Sequence, residues 1–364
     1  MTAVLRAWRN GWVQATVLVL VVALAFIVIW WRGPEWELVF DAFRFVVWSW
    51  VVLAFLLNVI STLFRALSWS LTIGQALPSQ HHPRLIHVFS AFGVGLMANA
   101  VVPGRLGELA RVATLRRHLP DAPPGTSATL VGTVFAHRLF DLVPATILVI
   151  WVLLTAEVPH WAVVAFGIAA LVGFALFTVA WLGARRHHRT VMSEGVGTIP
   201  HLLAMARQGL SVLNAPAPLA GAILLQCLGW LMQLLAVYVA MQAFGIDAPL
   251  PAAGLVLVLM NVATIVPLWP GNVGLVQAAV ALPLRNYGVQ YATGFAYGLA
   301  LQAIEIACGV GLGLIAVARE GVSFAVLRRM QDEEPSAEDA TEGAREVIEE
   351  LEHEAAREGA AVPR

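Results

Sequence analysis

Charged residues make up only 12% of this 364-residue sequence, and lysine is absent. Soluble domains carry roughly 25% charged residues, so the deficit excludes a soluble globular protein. With 59% hydrophobic residues and a mean hydropathy of +0.77, the chain reads as an all-α polytopic membrane protein. Lacking lysine, it uses arginine for its basic contacts. Arginine's planar fork suits phosphate and carboxylate better than an ammonium does; a genome rich in arginine codons gives the same composition. Cysteine is also scarce. Cys227 and Cys308 both lie in apolar runs without metal-ligand spacing, which leaves packing as their role. No nucleophile–base constellation, nucleotide-cradling loop or zinc spacing appears. Nothing therefore requires an enzyme or a cofactor, and nothing points to nucleic acid. No small-residue cleavage site follows Arg6, Arg9 and the first apolar run, so that run reads as a retained helix.

What is present is a series of apolar runs long enough to span. About six full spans are expected, near residues 12–31, 45–69, 126–155, 163–182, 219–244 and 291–317. Arginines cluster beside them at Arg6 and Arg9, at Arg185, Arg186 and Arg189, and at Arg319, Arg328 and Arg329. The positive-inside tendency then puts both termini in the cytoplasm. Arg65 falls near the inner end of the second span, where its side chain is expected to snorkel to the interface. Residues 1–330 form the membrane domain, and residues 331–364 an acidic cytoplasmic tail without the apolar content to fold.

Two segments are broken. Residues 85–102 are apolar and carry Asn99; Pro103-Gly104 interrupts them, and residues 105–118 resume with Arg105, Glu108 and Arg111. An unpaired arginine at the bilayer centre costs about 2.5–3.5 kcal/mol, so the second half is no lipid-exposed span. A full crossing by residues 85–102 would move Arg185, Arg186 and Arg189 outside. A re-entrant hairpin from the cytoplasm avoids both problems, with its irregular backbone covered by protein or lining a wet cavity. Downstream, an apolar run carrying Asn261 breaks at Pro270-Gly271, followed by Asn272 and Gly274. Both breaks read Pro-Gly-x-aliphatic-Gly. In this topology the hairpins open to opposite sides. That makes an inverted repeat, with a site at the repeat interface near the midplane.

Arg105, Glu108 and Arg111 recur at helical spacing on one side. They suit a grip on a lipid phosphate, or a self-neutralising ladder that fastens the hairpin. Arg138 and Asp141, three apart, pair with each other or with the first cluster. Asn99 and Asn261 cap the broken helices or line a cavity, and Asn272 follows the second break. Gln226, Gln233 and Gln302 suit interhelical hydrogen bonds. Glu305 is a carboxylate inside the last span, suited to proton coupling.

The combination of Asn99, Pro103, Arg105, Gly107, Glu108 and Arg111 with Arg138, Asp141 and Pro270-Gly271-x-x-Gly274 resembles the transmembrane domain of bacterial lysylphosphatidylglycerol synthases and their stand-alone flippase-like relatives. The resemblance covers about residues 12–317. It departs at His137, where that family often has Glu. The lysyl-transferring members carry a large soluble C-terminal domain, whereas only the acidic tail follows Arg329 here. The resemblance therefore implies a bacterial plasma-membrane lipid translocase without synthase chemistry. Its cargo would be a phospholipid, a glycolipid or a polyprenyl lipid, held in a polar cavity between the two hairpins. The substrate-binding set would be Asn99, Arg105, Glu108, Arg111, Arg138, Asp141, Asn261, Asn272 and Glu305. A second reading stays open: a non-transporting membrane scaffold whose partner is a lipid-modifying or glycosyl-transfer enzyme.

Overall fold

The structure is a computed structural model that describes residues 35–101, 107–123, 126–158, 211–264 and 272–320, with residues 160, 163, 164 and 167. The spans expected near residues 12–31 and 163–182, the bends at Pro103-Gly104 and Pro270-Gly271, the residue Arg105 and the acidic tail all fall largely or wholly outside them. The described residues form nine α-helices and no strand. In chain order these are α1 (Trp36–Arg44), α2 (Trp48–Ala76), α3 (Leu85–Val101), α4 (Gly107–Arg117), α5 (Thr126–Thr155), α6 (Pro216–Ala243), α7 (Leu250–Ala263), α8 (Leu275–Leu284) and α9 (Tyr291–Glu320). Two compact units divide the chain at residue 316, and of the second only residues 317–320 are described.

Four helices, α2, α5, α6 and α9, are long and apolar enough to cross a bilayer. Each runs 28 to 30 residues, or about 42–45 Å at 1.5 Å per residue. The chain is thus a polytopic helical membrane protein, as its hydropathy requires. The second span runs further than expected, to Ala76 rather than residue 69. Pro144 sits inside the continuous helix α5.

Helices α2 and α6 pack antiparallel along small residues. Ser61 Oγ donates to the Gly229 carbonyl at 2.7 Å, and Ser68 Oγ donates to the Ala222 carbonyl at 2.8 Å. The same seven-residue step leads back to buried Ala54 on one helix and on to buried Ala236 on the other. Small residues let backbones approach where lipid supplies no hydrophobic drive between helices. Helix α7 is the centre of the core. It is buried from Ala252 to Met260, because its sequence offers no polar face. Tyr297 of α9 closes over it and donates its hydroxyl to the Val237 carbonyl at 2.7 Å.

Helices α3 and α4 form one hairpin, and α7 and α8 the other. At one end of the molecule Val47 N–H meets the Ala243 carbonyl at 3.0 Å, and Glu157 N–H donates to Tyr287 Oη at 2.7 Å. The α7–α8 hairpin begins and ends there. At the opposite end His81 Nε2 lies 3.1 Å from the Asp121 carbonyl, the His87 and His118 rings stack at 4.0 Å, and Ser211 Oγ donates to the Gln75 carbonyl at 2.7 Å. The α3–α4 hairpin begins and ends there. Helix α1 lies at the first end, with Trp36 edge-on to Phe295 at 5.9 Å and Phe43 edge-on to Phe244 at 5.5 Å. Its exposed neighbours Phe45 and Trp48 have the character of an interfacial aromatic belt.

Helix α9 touches both hairpins through glycine. A Cβ at Gly294 would meet Ala281 Cα of α8 at 2.9 Å, and one at Gly313 would meet the Gly93 carbonyl oxygen of α3 at 3.0 Å. Glu305 lies between these two contacts.

Candidate functional site: a charged cavity at mid-depth

A cavity of about 210 Å³ opens between α2, α3, α4, α5, α6 and α9. It lies below the ~300–1,000 Å³ typical of drug-sized ligand sites, a size suited to a headgroup rather than a whole lipid. Helix α2 supplies a polar stripe of Asn58, Ser61, Thr62 and Arg65; α4 supplies Glu108 and Arg111; α5 supplies His137 and Arg138; α6 supplies Gln233; α9 supplies Glu305 and Cys308. Asp141 lies about 22 Å from either end of α5 and Glu305 about 22 Å from either end of α9, so the charges sit near the middle of the spans.

Two arms of charge meet there. In the first, Glu108 contacts Arg111 at 2.9 Å with its Oε2 and accepts a hydrogen bond from Arg138 with its Oε1. Arg138 also donates to Asp141 Oδ2 at 3.3 Å, and Asp141 Oδ1 accepts from Gln226 and from Trp230 Nε1, the latter at 2.9 Å. Arg111 is 3% exposed and lies over Trp69 at 4.6 Å and Phe92 at 5.4 Å. A desolvated cation over an aromatic face gains about 2 kcal/mol, which compensates part of its burial. Its contact with Glu108 has ion-pair distance without hydrogen-bond alignment, so Arg111 Nε and Nη2 keep unused donors among the described residues. In the second arm Arg65 Nη2 donates to Gln233 Oε1 at 2.5 Å, and Gln233 Nε2 donates to Glu305 Oε1 at 3.3 Å. Arg65 also faces the Trp230 ring at 5.4 Å, and its Nε has no hydrogen bond among the described residues.

The hairpin reaches this depth because its two halves fit closely. A Cβ at Gly95 would meet the Gly107 carbonyl oxygen at 2.8 Å. Asn99 Oδ1 accepts the Gly107 N–H at 2.9 Å and so satisfies a free donor at the start of α4. Asn99 therefore both caps and lines the cavity.

Of the residues expected in the site, Asn99, Glu108, Arg111, Arg138 and Glu305 line this cavity, and Asp141 braces it from behind. Asn261 and Asn272 do not line it; they belong to the second hairpin. Asn261 Nδ2 bonds its own helix at the Leu257 carbonyl, 2.8 Å away. Asn272, at φ 45°, donates across the break to the Ala263 carbonyl at 2.8 Å. The described part of that hairpin is tied by amides, with Gln277 Nε2 donating to Gln302 Oε1 at 2.6 Å. Among the described residues this cavity is thus built on the first hairpin and the spans around it.

Arg65 is the residue the sequence reading misplaced. It does not run to an interface but turns into the cavity and bonds Gln233. Its signal was present: Asn58, Ser61, Thr62 and Arg65 recur at helical spacing in an otherwise apolar span, a polar stripe that marks an inward face. The glutamines Gln226, Gln233 and Gln302 do bond between helices, as expected.

A family model described as the lysylphosphatidylglycerol synthase TM region matches residues 13–313. The chain belongs to that family. No curated protein and no solved structure matches it. The match spans the four long helices almost entirely and both hairpins, so every cavity residue named above is a residue of the family's membrane region.

Proposed function

We propose that this protein moves the headgroup of an anionic or glycosylated lipid across the membrane, holding it in the mid-depth cavity while the tails stay in the bilayer. The observation that carries this reading is the cluster of Arg65, Arg111 and Arg138 around a headgroup-sized cavity, with unused donors on Arg65 and Arg111. Ionisable residues inside spans are costly and mark substrate paths, and the arginine fork suits phosphate. The two hairpins, opening at opposite ends, have the inverted arrangement common in transporters. Arg84, Arg116 and Arg117 at the α3–α4 end support a cytoplasmic orientation for the first hairpin.

The test is transfer of a fluorescent phosphatidylglycerol between leaflets of vesicles that contain the full-length protein. Arg65→Gln and Arg138→Gln should each lower the rate about tenfold or more, the loss of roughly one charge-assisted contact of about 1.5–3 kcal/mol. Folded variants with wild-type transfer rates would refute the site.

A further inference from the structure

We propose that Glu305 binds a proton together with the lipid anion, so that the cavity takes up one proton for each anionic headgroup it holds. This rests on the lipid-binding reading above and adds the coupling ion. Three carboxylates stand in or against the cavity, and their partners differ. Glu108 is held by Arg111 and Arg138, and Asp141 by Arg138, Gln226 and Trp230. Glu305 has no ion pair among the described residues. Its hydrogen bond comes from a neutral amide, Gln233 Nε2, at 3.3 Å.

The charge balance gives the coupling its sign. Among the described residues Arg65, Arg111 and Arg138 face Glu108, Asp141 and Glu305, so the ionised set cancels. A phosphate monoanion added to that set leaves one negative charge uncompensated inside the membrane. A proton on Glu305 removes it. Proton and anion therefore favour each other's binding, and the coupling is reciprocal.

Gln233 supplies the linkage between them. Its amide oxygen accepts from Arg65 at 2.5 Å while its nitrogen donates to Glu305. A protonated Glu305 becomes a donor. The amide can then turn its carbonyl toward Glu305 and its NH2 toward Arg65, which accepts no hydrogen bond. Arg65 is released into the cavity, where the phosphate takes it up. The titratable and charged groups facing this place are Arg65 from α2, Glu108 and Arg111 from α4, His137 and Arg138 from α5 with Asp141 behind Arg138, and Cys308 from α9 itself; α3 and α6 contribute the neutral Asn99 and Gln233. His137 is the competing proton acceptor, but it is 1% exposed and lies edge-on to Phe92.

The experiment is calorimetric binding of short-chain phosphatidylglycerol to the full-length protein in detergent, at about pH 5.5, 7 and 8.5, in two buffers of different ionisation heat. Wild type should bind more weakly as pH rises, by up to about tenfold per unit, and should take up as much as one proton per lipid. Glu305→Gln should bind at about pH 8.5 within about threefold of its acid affinity, with no proton uptake, while His137→Gln keeps the wild-type pH dependence. Binding by wild type with no pH dependence and no proton uptake would overturn the coupling and leave the lipid reading standing. Proton uptake that persists in Glu305→Gln would overturn the assignment to Glu305. Absence of binding at every pH would overturn the lipid reading and this proposal together. Should Glu305→Gln fail to fold, proton uptake by the wild-type protein decides the coupling alone.

Discussion

Glu108 holds the first charge arm together, and its removal separates architecture from binding. Glu108→Gln keeps the shape of the side chain and deletes the anion that faces two arginines. The contact to Arg111 is the larger loss, since Arg111 is 4% exposed in its side chain. Breaking a buried pair from one side costs about 3–5 kcal/mol; the missing hydrogen-bond alignment puts this one near the lower figure. The contact to Arg138 adds less, because that side chain keeps its second pair with Asp141. The expected total is about 3–4 kcal/mol, or a fall in Tm of about 4–5 °C. Differential scanning fluorimetry of the purified protein reads it. The double variant Glu108→Gln, Arg111→Met removes both charges and should recover about 2 kcal/mol of the summed single losses. Saturating phosphatidylglycerol should raise the Tm of Glu108→Gln more than that of wild type, because its phosphate replaces the missing carboxylate. A loss under about 1 kcal/mol, or strict additivity in the double variant, would refute the reasoning.

Two further outcomes follow from the hairpins. Gly95→Ala should destabilise by about 1–3 kcal/mol, because the new methyl meets the Gly107 carbonyl and must push α4 away; an unchanged Tm would show that the halves do not touch there. At the second break, Asn272→Gly should cost less than Asn272→Ala. Glycine accepts the φ of 45° and loses the side-chain bond to the Ala263 carbonyl, whereas alanine loses that bond and is strained as well, by about 1 kcal/mol or more. Equal melting temperatures for the two variants would contradict this.

Much of the molecule was legible before any coordinates. A helical membrane fold follows from hydropathy, because backbone polar groups in lipid must be satisfied within the segment. That residues 107–117 form a short helix and not a lipid-exposed span was legible from charges too costly to face lipid. The pairing of Arg138 with Asp141 was legible as one of the choices their three-residue spacing allows. The site's partners were not. Arg65 and Gln233 each sit in an apolar run, and a run does not say which face of its helix meets lipid and which meets another helix. Asn261 and Asn272 had the same residue type and setting as Asn99, yet they fall at a different break.

The opening composition therefore determined the solvent of this protein. Only the tertiary structure decided which charges share a cavity. That choice depends on helix rotation and antiparallel register, which small residues such as Ser61 and Gly229 set by close approach and which no single helix records. It brings Arg65 of α2, Arg138 of α5 and Glu305 of α9 to one depth, although they are far apart in the chain.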